Sequence, residues 1–248
     1  MKNQITVITT THIHEYAPSV EILKRNLYTA YKNFSYINTC KHFIYVDSKV
    51  KDETYKKYVN NILELVKQKY PNIEVIDSPN SGLRFNYWHA INSIDTPLML
   101  FLEHDWEFLL PVDLEKIAEV FSKYDFVNLI KLPKRSNMIN MKVEDRLWDF
   151  EVKSEDRVKE LDITKTSSFA TNPHIIRKSK FLQEWKYHLN YPGSNHNSIE
   201  LPLRDKYRDE INVFGFDEVH SRWGCYNYGR PDGPKYITHL DASKSGKL

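Results

Sequence analysis

Glycine is scarce in this sequence and cysteine scarcer: seven and two among 248 residues. Cys40 and Cys225 lie far apart with no CxxC pair, which argues against both a disulfide scaffold and a zinc knuckle. No run approaches 18 apolar residues, and the opening "MKNQITVITTTHIHEY" has no apolar core of a secretion signal. The expectation is a soluble, cytoplasmic protein with no transmembrane segment. Charge is nearly balanced, with 35 Lys and Arg against 33 Asp and Glu and a net of +2. A balance so close to neutral gives no reason to expect nucleic acid as a partner. What is present suits a packed core: 41% of residues are hydrophobic and 27% are charged, far from the composition of a disordered chain.

Hydrophobic periodicity organises the first half of the chain. Residues 4–9, 42–47 and 72–77 read as strands rich in β-branched and aromatic residues. Between them, 17–34 and 52–69 carry apolar residues at spacings of three and four, the signature of amphipathic helices. The turn formers of "SPNSGL" lead into a helix from about Arg84 to Ser93, and then into "PLMLFLEHD". Strands alternating with helices predict an α/β fold with a mostly parallel central sheet flanked by helices. The unbroken apolar run at 98–102 suits a central strand buried on both faces. Further on, the pattern predicts a helix over 113–124 and a strand over 126–132. A charged loop or small insertion spans 133–166. A strand then falls over 167–173, with helices over 175–185 and 198–210. The tail, 222–241, has strand-like pieces around a Pro/Gly turn. With no repeat and no linker, one domain is expected over 1–248, divided into halves at about residue 108.

Chemistry concentrates where the apolar run meets Glu103-His104-Asp105. Acid-x-acid spacing alone decides nothing: composition predicts about four such triplets, and the chain holds five. Position decides more. Along a strand, residues i and i+2 share a face, so Glu103 and Asp105 are expected to converge at its carboxyl end. Ligands of open α/β sheets bind outside those ends. Paired carboxylates there suit Mn2+ or Mg2+, which take hard oxygen ligands together with a ligand's phosphates. A solvated strand end with a salt bridge is the plainer alternative.

The flanking stretch "PNSGLRFNYWHAINSIDTPLMLFLEHDWEF" resembles the segment through the acidic metal-binding motif of GT-A fold nucleotide-sugar glycosyltransferases, the broad family-2-like group. The corresponding features are Asn80, Gly82, Arg84 and Glu103-His104-Asp105. The resemblance covers most of 4–108, with patches near 168–185 and 223–241. It departs at the first acid, where Glu103 replaces the usual Asp. The metal is therefore assigned to Asp105, and Glu103 to the donor site. The resemblance implies transfer of a sugar from a nucleoside-diphosphate donor, with UDP the expected nucleotide, to a hydroxyl of a glycan or other acceptor. It implies that Thr9, Thr10 and Thr11 hold the nucleotide and that Asp47 accepts hydrogen bonds from base or ribose. Arg84 would face the diphosphate, since a guanidinium offers fixed charge and fork geometry. His239, in "ITHLD", is the candidate further metal ligand. Glu200, in "NSIELPLRD", is the candidate base of an inverting reaction. Each has a bland counterpart: good strand formers for the threonines, a turn residue for Asp47, a surface Arg for Arg84, a structural His for His239, and a first-turn acid for Glu200.

Rival readings fit less well. A nucleotidyltransferase is expected to carry a Gly-rich loop after the first strand, where this chain has the glycine-free "TTTHIHEY". No P-loop motif occurs. His12 and His14 offer two zinc ligands but no second cluster to complete four. A non-enzymatic carbohydrate-binding module would use the five Trp and sixteen Tyr for sugar stacking, although aromatic residues serve equally well in a core.

Overall fold

The computed structural model describes residues 3–12, 17–48, 50–78, 82–138, 153–190 and 198–240. Asn80, its turn neighbours Pro79 and Ser81, His14, and 139–152 of the charged stretch lie outside the described residues.

The first half alternates as its periodicity predicts: β1 (Ile5–His12), α1 (Glu21–Asn33), β2 (Lys41–Asp47), α2 (Glu53–Lys69), β3 (Ile73–Asp77), α3 (Gly82–Ser93) and β4 (Leu98–Glu103). Asp52 caps α2 by accepting from the Tyr55 N–H at 2.9 Å, so one otherwise orphaned donor at the helix start is satisfied. The second half runs β5 (Trp106–Phe108), α4 (Leu114–Lys123), β6 (Leu129–Lys131), β7 (Ile163–Lys165), β8 (His174–Arg177), α5 (Lys178–Gln183), α6 (Glu200–Phe214), α7 (Phe216–Trp223), β9 (Cys225–Tyr228) and β10 (Ile237–His239).

The main sheet has the strand order β3-β2-β1-β4-β8-β6-β9-β7, and a second sheet pairs β10 with β5. The first four strands are mutually parallel, while β8 and β7 run antiparallel to their neighbours. The sheet is thus mostly parallel and covered on both faces. Residues of α1 and α4 pack on one face with Val7, Leu100 and Leu102, and α2 covers Ile44 and Val46 of that same face. On the other, α3, α5, α6 and α7 pack on Ile8, Met99, Phe101 and Leu129. Leu98 to Leu102 are at most 2% exposed, as a strand buried on both faces requires.

Three expectations are corrected. First, β4 ends at Glu103, and His104-Asp105 form a turn into β5, so Glu103 and Asp105 are not successive same-face residues of one strand. Second, the strand placed over 167–173 lies at His174–Arg177 instead. Ile175 and Ile176 are buried on opposite faces of the sheet, and the run before Pro173 is irregular backbone. Third, α7 had no counterpart in the periodicity. It starts after Gly215 and ends at Gly224, whose φ of 62° is left-handed. A Cβ there would stand 1.9 Å from the Phe126 carbonyl oxygen, so only glycine fits. Among the described residues no helix is long and apolar enough to cross a membrane, and both cysteines are free and buried.

Candidate active site

The carboxyl ends of β1, β2 and β4 form one edge, and register decides which side chains share a face there. Thr10 pairs with Tyr45 on one side and Glu103 on the other, and His12 pairs with Asp47. Register partners in a parallel sheet project the same way, so Thr10, Asp47 and Glu103 lie on the face covered by α3. Thr9 and Thr11 alternate to the opposite face. There the Thr9 hydroxyl meets His42 Nε2 at 2.9 Å, and the Thr11 hydroxyl meets the Tyr58 hydroxyl at 2.6 Å. Of the three threonines, the structure brings only Thr10 together with the acids.

Asp47 is nearly buried and closes against the start of α3. Its Oδ2 accepts from the Gly82 N–H at 2.8 Å and from the Asn86 side-chain amide at 3.3 Å. Its Oδ1 is buried and has no partner among the described residues. A carboxylate oxygen in that state is an acceptor waiting for a donor, because leaving it dry is unfavourable. Arg84 sits in the first turn of α3, where its Nη2 donates to Asn190 Oδ1 at 2.8 Å. That bond ties α3 to the 3-10 turn Trp185–Asn190 of the second half.

Asp105 and His239 come from distant parts of the sequence. The antiparallel pairing of β5 with β10 sets His239 opposite Trp106, and His239 Nε2 then lies 3.2 Å from Asp105 Oδ2. The imidazole packs edge-on to the Trp106 ring at 4.8 Å. Asp105 Oδ1 is buried without a partner among the described residues. One carboxylate on the turn after β4 and one imidazole at the end of β10 fit Mn2+ or Mg2+ in part: the donor atoms suit them. Among the described residues no group of three or more His, Cys, Asp and Glu side chains is placed to hold a metal ion.

Glu103 and Glu200 face one another across Thr171. The Thr171 hydroxyl and N–H donate to Glu200 Oε2 at 3.0 and 3.2 Å, and the same hydroxyl is within hydrogen-bonding reach of Glu103. Loss of hydration raises the Glu103 pKa to about 8, with Asp105 and Glu200 adding repulsion and Thr171 opposing them. One hydroxyl proton serves one carboxylate at a time. Glu200, at the start of α6, holds it. Sequence reasoning passed over Thr171, Asn86 and the α1 residue Asn26. Thr171 had one usable signal, the polar run before Pro173; the other two had none.

No protein-family model matches the sequence, and no curated protein matches it either. Solved structures do match. The mannosyltransferase PcManGT from Pyrobaculum calidifontis, in complex with GDP-Man and Mn2+, aligns with 94% of this chain and 56% of its own, at a TM-score of 0.54 and 11% identity. S. aureus TarS 1-349 aligns with 98% of this chain and 62% of its own, at a TM-score of 0.51 and 12% identity. Its complex with UDP-GlcNAc aligns with 96% of this chain and 61% of its own, at a TM-score of 0.52 and 12% identity. This chain therefore spans about three fifths of the length of those chains. At such identities the likeness is one of fold, and the fold is GT-A-like, the one this chain shares with PcManGT and TarS.

Proposed function

We propose that the chain is a glycosyltransferase that moves a sugar from a nucleoside-diphosphate donor, UDP-linked in the first instance, to a hydroxyl of a glycan or other acceptor. The reaction is metal-dependent and inverting. One observation carries the reading: Asp105 presents a buried Oδ1 with no partner among the described residues, beside His239 at the carboxyl edge of the sheet. A carboxylate held in this way costs free energy unless a cation or donor meets it.

The residues then divide the work. The Oδ1 of Asp47, which has no partner among the described residues, accepts from the base or ribose. Arg84, two residues from each of the α3 residues that hold Asp47, Gly82 and Asn86, faces the diphosphate. Asp105 and His239 hold Mn2+ or Mg2+, which when bound supplies Lewis-acid neutralisation of the leaving diphosphate. Glu200, oriented by two hydrogen bonds from Thr171, takes the acceptor hydroxyl's proton. Glu103, beside Thr10 at the end of β4, contacts the donor sugar or diphosphate.

Thermal unfolding with UDP-GlcNAc, UDP-glucose and GDP-mannose, each with and without Mn2+, tests the reading. Saturation at a hundred times Kd stabilises by about 2.7 kcal/mol, which for a chain of this size is a shift on the order of 5–10 °C. The shift should be markedly larger with metal than without it. If no nucleotide-sugar stabilises the chain in the presence of Mn2+, the reading fails.

A further inference from the structure

The helix facing the acidic turn has the wrong composition for a purely packing role. An amphipathic helix buries apolar residues, and α1 buries Leu23, Leu27 and Ala30. It also buries Asn26, with none of its surface exposed, and Thr29. The Asn26 side-chain amide donates to the Glu103 carbonyl at 3.1 Å and to the Trp106 carbonyl at 2.6 Å. Those two carbonyls bracket His104-Asp105. Thr29 accepts from the Phe108 N–H at 3.2 Å, further along β5. The stripe thus has two parts: Asn26 holds the turn, and Thr29 holds the strand beyond it.

Asn26 achieves this with its own Oδ1 buried and unpartnered among the described residues. Flipping the amide would satisfy nothing, because both main-chain groups are acceptors and require its two N–H donors. A buried polar atom left unpaired is unfavourable. Local sacrifices of this kind concentrate where a functional geometry is being fixed.

We propose that Asn26 is a positioning residue for metal binding: its amide fixes the 103–106 turn so that Asp105 meets His239 before any cation arrives. The inference rests on the reading of Asp105 as a metal ligand. Ligands held in place in advance bind more tightly than ligands that must first be ordered.

The experiment compares Asn26→Leu and the milder Asn26→Ser with Thr29→Val, which loosens the same strand without touching the turn. Mn2+ uptake is read from the EPR signal of free aqueous Mn2+, with Mn2+ alone and with Mn2+ plus UDP or GDP. Uridine or guanosine binding without metal is measured alongside. Both Asn26 variants should weaken Mn2+ uptake at least tenfold while metal-free nucleoside binding stays within twofold, and Thr29→Val should leave both within twofold. If Leu at this buried site prevents folding, Asn26→Ser decides alone, because a serine hydroxyl cannot span two carbonyls. Mn2+ uptake within twofold of the wild type in Asn26→Ser, or equal losses in Asn26→Ser and Thr29→Val, overturns the proposal. Asp105→Asn separates the two failures. If it binds Mn2+ normally, the metal reading falls with everything built on it. If it loses Mn2+ while Asn26→Ser does not, only the positioning role falls. A wild-type chain that takes up no Mn2+ under either condition removes both.

Discussion

Replacing Asp105 by Asn keeps the side chain's shape and removes its charge, and the structure separates the two consequences. Stability should barely change. The Asp105–His239 pair has side-chain exposures of 20% and 44%, so its contribution is discounted to that of a partly solvated ion pair, about 0–1 kcal/mol. The net effect should stay within about 1 kcal/mol, or roughly 2–4 °C in Tm for a chain of this length. Binding should respond on a different scale. A charged interaction lost at the site is worth about 1.5–3 kcal/mol, or ten- to a hundredfold in affinity. Isothermal titration with UDP should therefore show a large loss of affinity in the presence of Mn2+ and little change for uridine without metal. The Glu103 titration, followed by carboxyl NMR, should move down from about 8 in the same variant. Metal-dependent UDP binding retained in Asp105→Asn would refute the reasoning. So would a uridine loss as large as the UDP loss, because it would mean the site had collapsed.

Arg84→Ala should weaken UDP-sugar about ten- to a hundredfold and uridine hardly at all; equal weakening of the two places Arg84 away from the diphosphate. Glu200→Gln should lower kcat by about 10²–10⁴ while donor and metal binding survive, and near-normal turnover in that variant, or a product of retained configuration by NMR, removes its role as base. Buried His42, held between the Thr9 and Tyr31 hydroxyls, has its pKa lowered from 6.5 to about 3 by loss of hydration. Its neutral form contributes stability that is fully present above pH 6.5 and is lost as pH falls toward 3, with a slope approaching about 1.4 kcal/mol per pH unit. Denaturant unfolding of His42→Asn between pH 6.5 and 4 should show a shallower loss than the wild type, and an identical slope in the two proteins excludes His42 as a cause of acid lability.

Local pattern was enough to establish the alternation of strands and helices through residue 103. Each of those elements buries a face whose period, two or 3.6, is written into neighbouring residues. It was also enough to place "LMLFLE" in the middle of the sheet, because only a strand covered on both sides is apolar without interruption. Beyond Glu103 the decisive information is not local. Nothing in "FLEHDWEF" says that the strand stops at Glu103. The turn at His104-Asp105 is held by Asn26 of α1 and by the pairing of β5 with a strand near the end of the chain. The three consecutive threonines look alike in sequence. Register sends two of them to partners in β2 and α2 and leaves Thr10 beside Glu103. Asp105 and His239, or Glu103 and Glu200, lie on segments with no shared period. Only tertiary contacts, the pairing of β5 with β10 for the first pair and the approach of Thr171 and α6 to the sheet edge for the second, bring them within reach, and contacts between residues far apart in the chain leave no periodic trace in it.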